Sequence, residues 1–311
     1  MRRIFAIIAA IALVFTLSGC KKEEEKSEIP NNYVNPPFFA VRDEATGGEL
    51  YLLGSMHVGL PNTIYPDIVY SSLDECETVA CEIDLLALDN NRDEVNEAVK
   101  MFECGSAADY MGEDYAEIKS YFKSHGINAD NLDKYMPVMW SITLSQKAAI
   151  DGGYDSKYGT EREILTLAKK KGKKIVELET AAEQYKINAG ESPELQMYSL
   201  KNAVSLPYGQ LIAQNSALYL AWSTGNTAVI EKMLSSSSVP EELSEDYNKY
   251  YSEMYGQRQE KMAEYAVKAL KNGEKVFMVV GAAHYFAEPD ILDFLAKAGY
   301  SPETFGNQVA A

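Results

Sequence analysis

Basic residues are scarce in this chain of 311 residues: 29 Lys and Arg stand against 46 Asp and Glu, a formal net charge of −17. Such a balance excludes nucleic acid as a partner and argues against docking of the folded body on anionic lipid. Cysteine is scarce too, with four residues and no Cys-x-x-Cys pair of metal-binding spacing. One of the four, Cys20, ends the leader. The other three, Cys76, Cys81 and Cys104, allow at most one intramolecular disulfide, and buried or unpaired thiols are the simpler reading. No apolar run is long enough to cross a membrane comfortably, and no repeat of fixed period is visible. Rarest of the reactive side chains is histidine, with only His57, His125 and His284.

What the N-terminus does have is a charged start, Met1-Arg2-Arg3, a short apolar run from Ile4 to Leu17, and the ending Leu17-Ser18-Gly19-Cys20. That is the pattern of a secretory signal, and its ending resembles the lipobox of bacterial lipoproteins. Residues 1–19 are therefore expected to be cut away, with lipid on Cys20 and residues 20–35 as a polar tether of mixed charge. Loss of Arg2 and Arg3 would leave the mature chain at −19, two units more negative than the −17 of the whole. The expected location is the extracytoplasmic face of a membrane (the outer membrane where the host has one), with contact through the lipid only.

From residue 36 to 305 the pattern predicts one domain of mixed α/β class. Strand-like runs come from both ends of the chain. Phe38–Arg42 and Leu50–Leu53 flank a polar, Gly-ended loop and predict an antiparallel hairpin, while Thr78–Asp84, Lys174–Glu179 and Lys275–Val280 predict further strands. The last run is almost wholly apolar, as a strand covered on both faces should be. Thr160-x-x-Glu163 and Thr180-x-x-Glu183 read as capping boxes, Ser192-Pro193 as an N-cap followed by Pro, and Asn272-Gly273 as a helix end. Ser235 to Ser238 breaks the long helical region. A central mixed sheet is thus expected to carry a large, mainly helical middle, with a subdomain at about 200–272 walling the site.

Two of the histidines share a context. Gly54-Ser55-Met56-His57 and Gly281-Ala282-Ala283-His284 each follow an apolar run, so each places an imidazole just past a strand end. Ligand sites in open α/β sheets gather beyond such ends, so the two can meet at one edge. Carboxylates are available there. Glu82 and Asp84 are two apart on a predicted strand and so share a face, as do Glu177 and Glu179. Two imidazoles with one or two carboxylates suit Zn, Mn, Co or Fe, and such an ion can activate water for hydrolysis. His125, at a helix end or in a loop, stands apart.

Leu52-Leu53-Gly54-Ser55-Met56-His57-Val58-Gly59, Glu82-Ile83-Asp84, Leu178-Glu179-Thr180-x-x-Glu183-Gln184 and Val279-Val280-Gly281-Ala282-Ala283-His284, closing on Ala298-Gly299-Tyr300, resemble in order and spacing the motifs of the TraB/PrgY/GumN family. That family is related to the Tiki proteases, which are understood as metal-dependent, using Mn or Co. The resemblance implies His57 and His284 as metal ligands and Glu82 as the motif glutamate. Arg258 resembles the family's arginine on the helix before the last strong strand. It would bind a substrate carboxylate or polarise a carbonyl. Glu82, Glu179 and Arg258 are thus the catalytic candidates. After His284 this chain departs from the family's apolar residue and Gly-containing turn, having Tyr285-Phe286-Ala287-Glu288-Pro289, which is expected either to narrow the site mouth or to change its specificity.

The expected function is a surface-anchored metal-dependent hydrolase acting on a peptide or protein, with Mn or Co as cofactor and Zn as an alternative. The competing reading is a lipoprotein that captures a peptide without cutting it. Tyr247, Tyr250, Tyr251, Tyr255 and Tyr265 would serve contact with a peptide in either case, and equally a helical core. For the anchor, Cys20→Ala is expected to release the protein or leave it unprocessed, as read by fractionation and mass. Membrane retention of a correctly cut Cys20→Ala chain would reject the lipobox.

Overall fold

The computed structural model describes residues 31–235 and 239–305, so the leader, Cys20 and Ser236 to Ser238 lie outside the described residues. Six strands form the central sheet: β1 (Phe38–Asp43), β2 (Gly48–Ser55), β3 (Thr78–Cys81), β4 (Lys174–Glu177), β5 (Lys275–Gly281) and β6 (Glu303–Thr304). Their order across the sheet is β4-β3-β5-β2-β1-β6. β1 and β2 are the predicted antiparallel hairpin, and Gly47, with φ of 75°, supplies the left-handed residue its turn requires. β2, β5, β3 and β4 run parallel to one another, so the sheet is mixed, with strands from both chain ends.

Alternation along the strands divides the core into two layers. Phe38, Ala40, Tyr51, Leu53, Val79, Phe277 and Val279 face one way, against the helices Asp67–Glu75 and Thr160–Lys170. Phe39, Val41, Leu50, Leu52, Ala80, Met278 and Val280 face the other, against Gln257–Lys271 and Ile291–Lys297. After the exposed Lys275, β5 is apolar because it is central in the sheet and covered on both faces. A separate helical core lies around the buried Trp140 and Phe122, and draws on Leu144, Leu200 and Leu211. Helical bulk therefore lies between residues 85 and 170 as well as after 193.

The capping box at Thr180 forms as predicted, and Ser192 caps Pro193–Ser205. The one at Thr160 does not. That helix is capped by Gly159, and Thr160 Oγ1 instead accepts a hydrogen bond from Met56 N at 3.2 Å, tying the helix start to the segment beyond β2. β3 is also shorter than predicted, stopping at Cys81, because Asp84 turns to cap Leu85–Leu88 and pairs with Lys169. Glu82 and Asp84 are therefore not partners on one strand face. Likewise β4 ends at Glu177, whose carboxylate accepts from Asp84 N at 2.8 Å, while Glu179 lies beyond it in the bend. Cys76, Cys81 and Cys104 are free thiols. No helix among the described residues is long and apolar enough to cross a membrane.

The polar tether expected to reach residue 35 ends sooner, because the chain is already tied in at Asn32, where Asn32–Tyr33 pairs in parallel with Thr63–Ile64. The helix Tyr208–Ser223 reaches the sheet through Trp222, whose Nε1 donates to Gly54 O at 2.8 Å in a buried position. Trp222→Phe keeps an aromatic ring in the core but orphans that carbonyl and leaves part of the indole's volume empty. It is expected to cost about 1–3 kcal/mol of unfolding free energy in a denaturant titration.

Candidate functional site

The parallel register sets four strand ends side by side. Ser55 pairs with Gly281, and Cys81 with both Val279 and Glu177, so the chain leaves β4, β3, β5 and β2 at one edge carrying Glu179, Glu82, His284 and His57. Their meeting point is Gly281. A Cβ there would stand 3.3 Å from Glu82 Oε1 and 3.8 Å from both His57 Nε2 and His284 Cδ2. The backbone of Gly281 is ordinary at φ −49°, so the residue is needed for the room it leaves. Gly54, the other motif glycine, is likewise closely packed, against Ala282 and Pro37.

Glu82 is buried and fully used. Its Oε1 accepts from Gly281 N at 2.7 Å and lies 3.6 Å from His284 Nε2; its Oε2 accepts from Arg258 Nη2 and Gln184 Nε2, both at 2.8 Å. Burial alone would raise the carboxyl pKa, but His284, Arg258 and His57 overcome it and hold the group well below the usual carboxylate range. Glu179, also buried, takes Arg258 Nε at 2.6 Å and Nη2 at 2.7 Å, with Gln184 Nε2 at 2.9 Å. Gln184 and Arg258 thus clamp the two carboxylates together. Arg258 Nη1 donates to Met254 O, so the guanidinium is committed inside the protein rather than offered to a substrate carboxylate.

Arg258 owes its aim to an irregularity. Between the helices Ser244–Tyr251 and Gln257–Lys271 the backbone makes a π-helical turn, Ser252–Gly256. Tyr255 from that turn is buried with its ring 5.9 Å from that of His284, and Tyr251 packs 5.0 Å behind it. The predicted helical wall therefore touches the site through Tyr255 and Arg258. Tyr285 does not narrow the mouth. It is buried in the sheet core against Phe39, and Ala287 is buried beside Met254 and Tyr255. Gln259 Nε2 ties this turn down at His284 O, 3.3 Å, and Ala287 O, 3.0 Å.

His57 rests on a residue the motifs did not single out. Its Nδ1 lies 2.9 Å from Oε1 of the buried Glu161, in an ion-pair contact rather than an aligned hydrogen bond, and Ser55 Oγ donates to the same oxygen. The His57 loop is zipped to this helix start. Gly59 and Asp155 exchange backbone hydrogen bonds at 3.0 Å, and Thr160 N donates to Met56 O at 2.9 Å. A Cβ on Gly159 would fall 2.5 Å from His57 O, and one on Gly59 2.1 Å from Tyr158 O, so both glycines are demanded by backbone contact. His125 is remote, with Nδ1 2.8 Å from Tyr121 O in a helix-end role.

The donor set suits a cation. Of three buried carboxylates, Glu82 and Glu179 share the Arg258 guanidinium and Glu161 faces His57, which leaves two negative charges over if the imidazoles are neutral. His284 Nδ1 and Glu161 Oε2 are buried without hydrogen-bond partners among the described residues. The imidazole and carboxylate donors converge, though no three His, Cys, Asp or Glu among the described residues stand in a closed coordinating group. Burial would lower the pKa of His57. Glu161, with help from Glu82 and against Arg258, overcomes this and raises it from 6.5 to about 9.

A raised imidazole pKa stabilises the fold fully below the unfolded value, and the gain is lost as pH rises through the folded one. In chelator-treated protein, the stability advantage over His57→Ala is therefore expected to be complete below about pH 6.5 and to fade through about pH 9. Denaturant titrations across that range check it, and an advantage independent of pH would refute the pairing.

Residues 38–304 match the family described as TraB/PrgY/gumN. No curated protein and no solved structure matches the chain. The matched span runs from the first strand of the central sheet to the last and includes all four strand-end residues, and by it the chain belongs to the TraB/PrgY/gumN family.

Proposed function

We propose that the protein is a metal-dependent hydrolase of peptides or proteins, held by lipid on Cys20 at an extracytoplasmic membrane face. The observation that carries this reading is the convergence of His57, His284 and Glu82 around Gly281, beside a buried surplus of negative charge. His57, His284 and Glu82 would hold a divalent ion, with Mn or Co favoured by the family resemblance and Zn also compatible with the donors. Bound there, such an ion would supply Lewis-acid activation of water and of the scissile carbonyl.

The rest falls to the chain itself. Glu82 Oε2 is held by Arg258 and Gln184, which leaves Oε1 as the oxygen facing His284 for ligation or for proton abstraction. Arg258 and Glu179 act as positioning residues, since their polar atoms are spent on Glu82, on Gln184 and on each other. Tyr255 walls the His284 side and keeps water from that face of the ring.

The test combines bound-metal analysis with cleavage of a peptide library. His57→Ala, His284→Ala and the double change are expected to abolish turnover about equally, the non-additivity of groups that act as one unit. Glu82→Gln separates roles: lost metal marks a ligand, retained metal with lost turnover marks a base. Peptide binding with no cleavage in the metal-loaded wild type would favour the capture reading instead, and additive stability losses without metal uptake would end the hydrolase proposal.

A further inference from the structure

The two histidines are supported in different ways. His284 has Glu82 near Nε2 and a buried Nδ1 with no hydrogen-bond partner among the described residues. His57 Nδ1 also makes no aligned hydrogen bond, but Glu161 Oε1 stands 2.9 Å from it, and the ring presents Nε2 toward Gly281. Glu161 is only 4% exposed; its Oε1 meets His57 and Ser55, and its Oε2 has no hydrogen-bond partner among the described residues. A carboxylate so deeply buried is costly unless its one charge partner is held in place. Every nearby backbone feature serves that contact: the Gly59 and Asp155 bridge, the Thr160 bonds to Met56, and the steric requirement for Gly159 under His57 O.

We propose that Glu161 is a positioning residue for His57: by taking the Nδ1–H side of the ring, it leaves Nε2 as the lone-pair nitrogen of the neutral imidazole and aims it at Glu82, Gly281 and His284. Without an acceptor at Nδ1 the proton could sit on either nitrogen, and with it on Nε2 the site would face an N–H that can neither ligate nor accept. Ser55, the last residue of β2, donates to Glu161 Oε1 and fixes the carboxylate that fixes the ring. The consequence for activity rests on the hydrolase reading above; the ring's tautomer does not.

The experiment has two readouts on the full chain. In chelator-treated protein, at an alkaline pH where the spectra show a neutral His57 ring, long-range proton–nitrogen spectra report which ring nitrogen carries the proton. With three histidines in the chain, His57→Ala assigns the signal. Wild type and Glu161→Asp are expected in the Nδ1–H form, and Glu161→Leu in the mixed form of a free imidazole. An Nε2–H ring in wild type, or an unchanged ring in Glu161→Leu, would overturn the proposal. If Glu161→Leu does not fold, Glu161→Ala, which likewise offers no acceptor, is read in the same way. The second readout is Co²⁺ affinity by competition with a chelator, where loss of the Glu161 carboxylate is expected to weaken binding roughly 10- to 100-fold, the usual effect of removing a ligand's outer partner. Unchanged affinity would reduce Glu161 to a structural role and overturn the proposal. A wild type that takes up none of Mn²⁺, Co²⁺ and Zn²⁺ would instead defeat the hydrolase reading, while the tautomer still decides the role of Glu161.

Discussion

One guanidinium governs this molecule. Arg258 is the cation between Glu82 and Glu179, two buried carboxylates delivered by adjacent strands, and without it Glu179 would keep no cationic partner and Glu82 only the imidazoles. Gln184 reinforces it with a neutral donor shared between the same two groups. The three elements beyond β3, beyond β4 and on the Gln257–Lys271 helix are thereby locked at one point, and the direction of Glu82 toward Gly281 follows from that lock.

The second constraint is topological. Parallel pairing of β2, β5, β3 and β4 means that four chain segments, far apart in sequence, exit the sheet on one side. Local chemistry then only needs short reach: two residues from β2 to His57, three from β5 to His284, one from β3 to Glu82 and two from β4 to Glu179. Helices covering both faces of the sheet keep β5 dry, so the edge where these residues gather sits above a rigid floor of Val279, Val280 and Leu53.

How much of this could be read from the residues depended on how local the cause was. His57 and His284 were legible because an apolar strand, a glycine and a short turn are all encoded within a few positions. The hairpin of β1 and β2, the Thr180 capping box and the Asn272-Gly273 helix end were legible for the same reason. Glu82 was found, but its neighbour Asp84 was assigned the same face, because nothing nearby in sequence reveals that Asp84 would spend its oxygens on a helix start and Lys169. Glu161 was missed because Thr160-x-x-Glu163 offered a more familiar pattern at the same place. Its only signal is an acidic residue in a helix's first turn just after Gly159, and burial by a loop a hundred residues earlier cannot be seen from there. The commitment of Arg258 to two glutamates was equally invisible, since each partner lies well over seventy residues away.

The π-helical turn at Ser252–Gly256 carries a consequence for how this chain tolerates change in length. An α-helix advances about 100° per residue, so the one extra residue of a π turn sets the tyrosine-bearing segment before it and the arginine-bearing segment after it in different angular phase. Removal of one residue there would restore a regular helix and swing Tyr247 and Tyr251 round the axis while Arg258 stayed with its glutamates. Insertions and deletions elsewhere on the surface displace a loop; here a single codon would act as a gear, turning one wall of the site relative to the other.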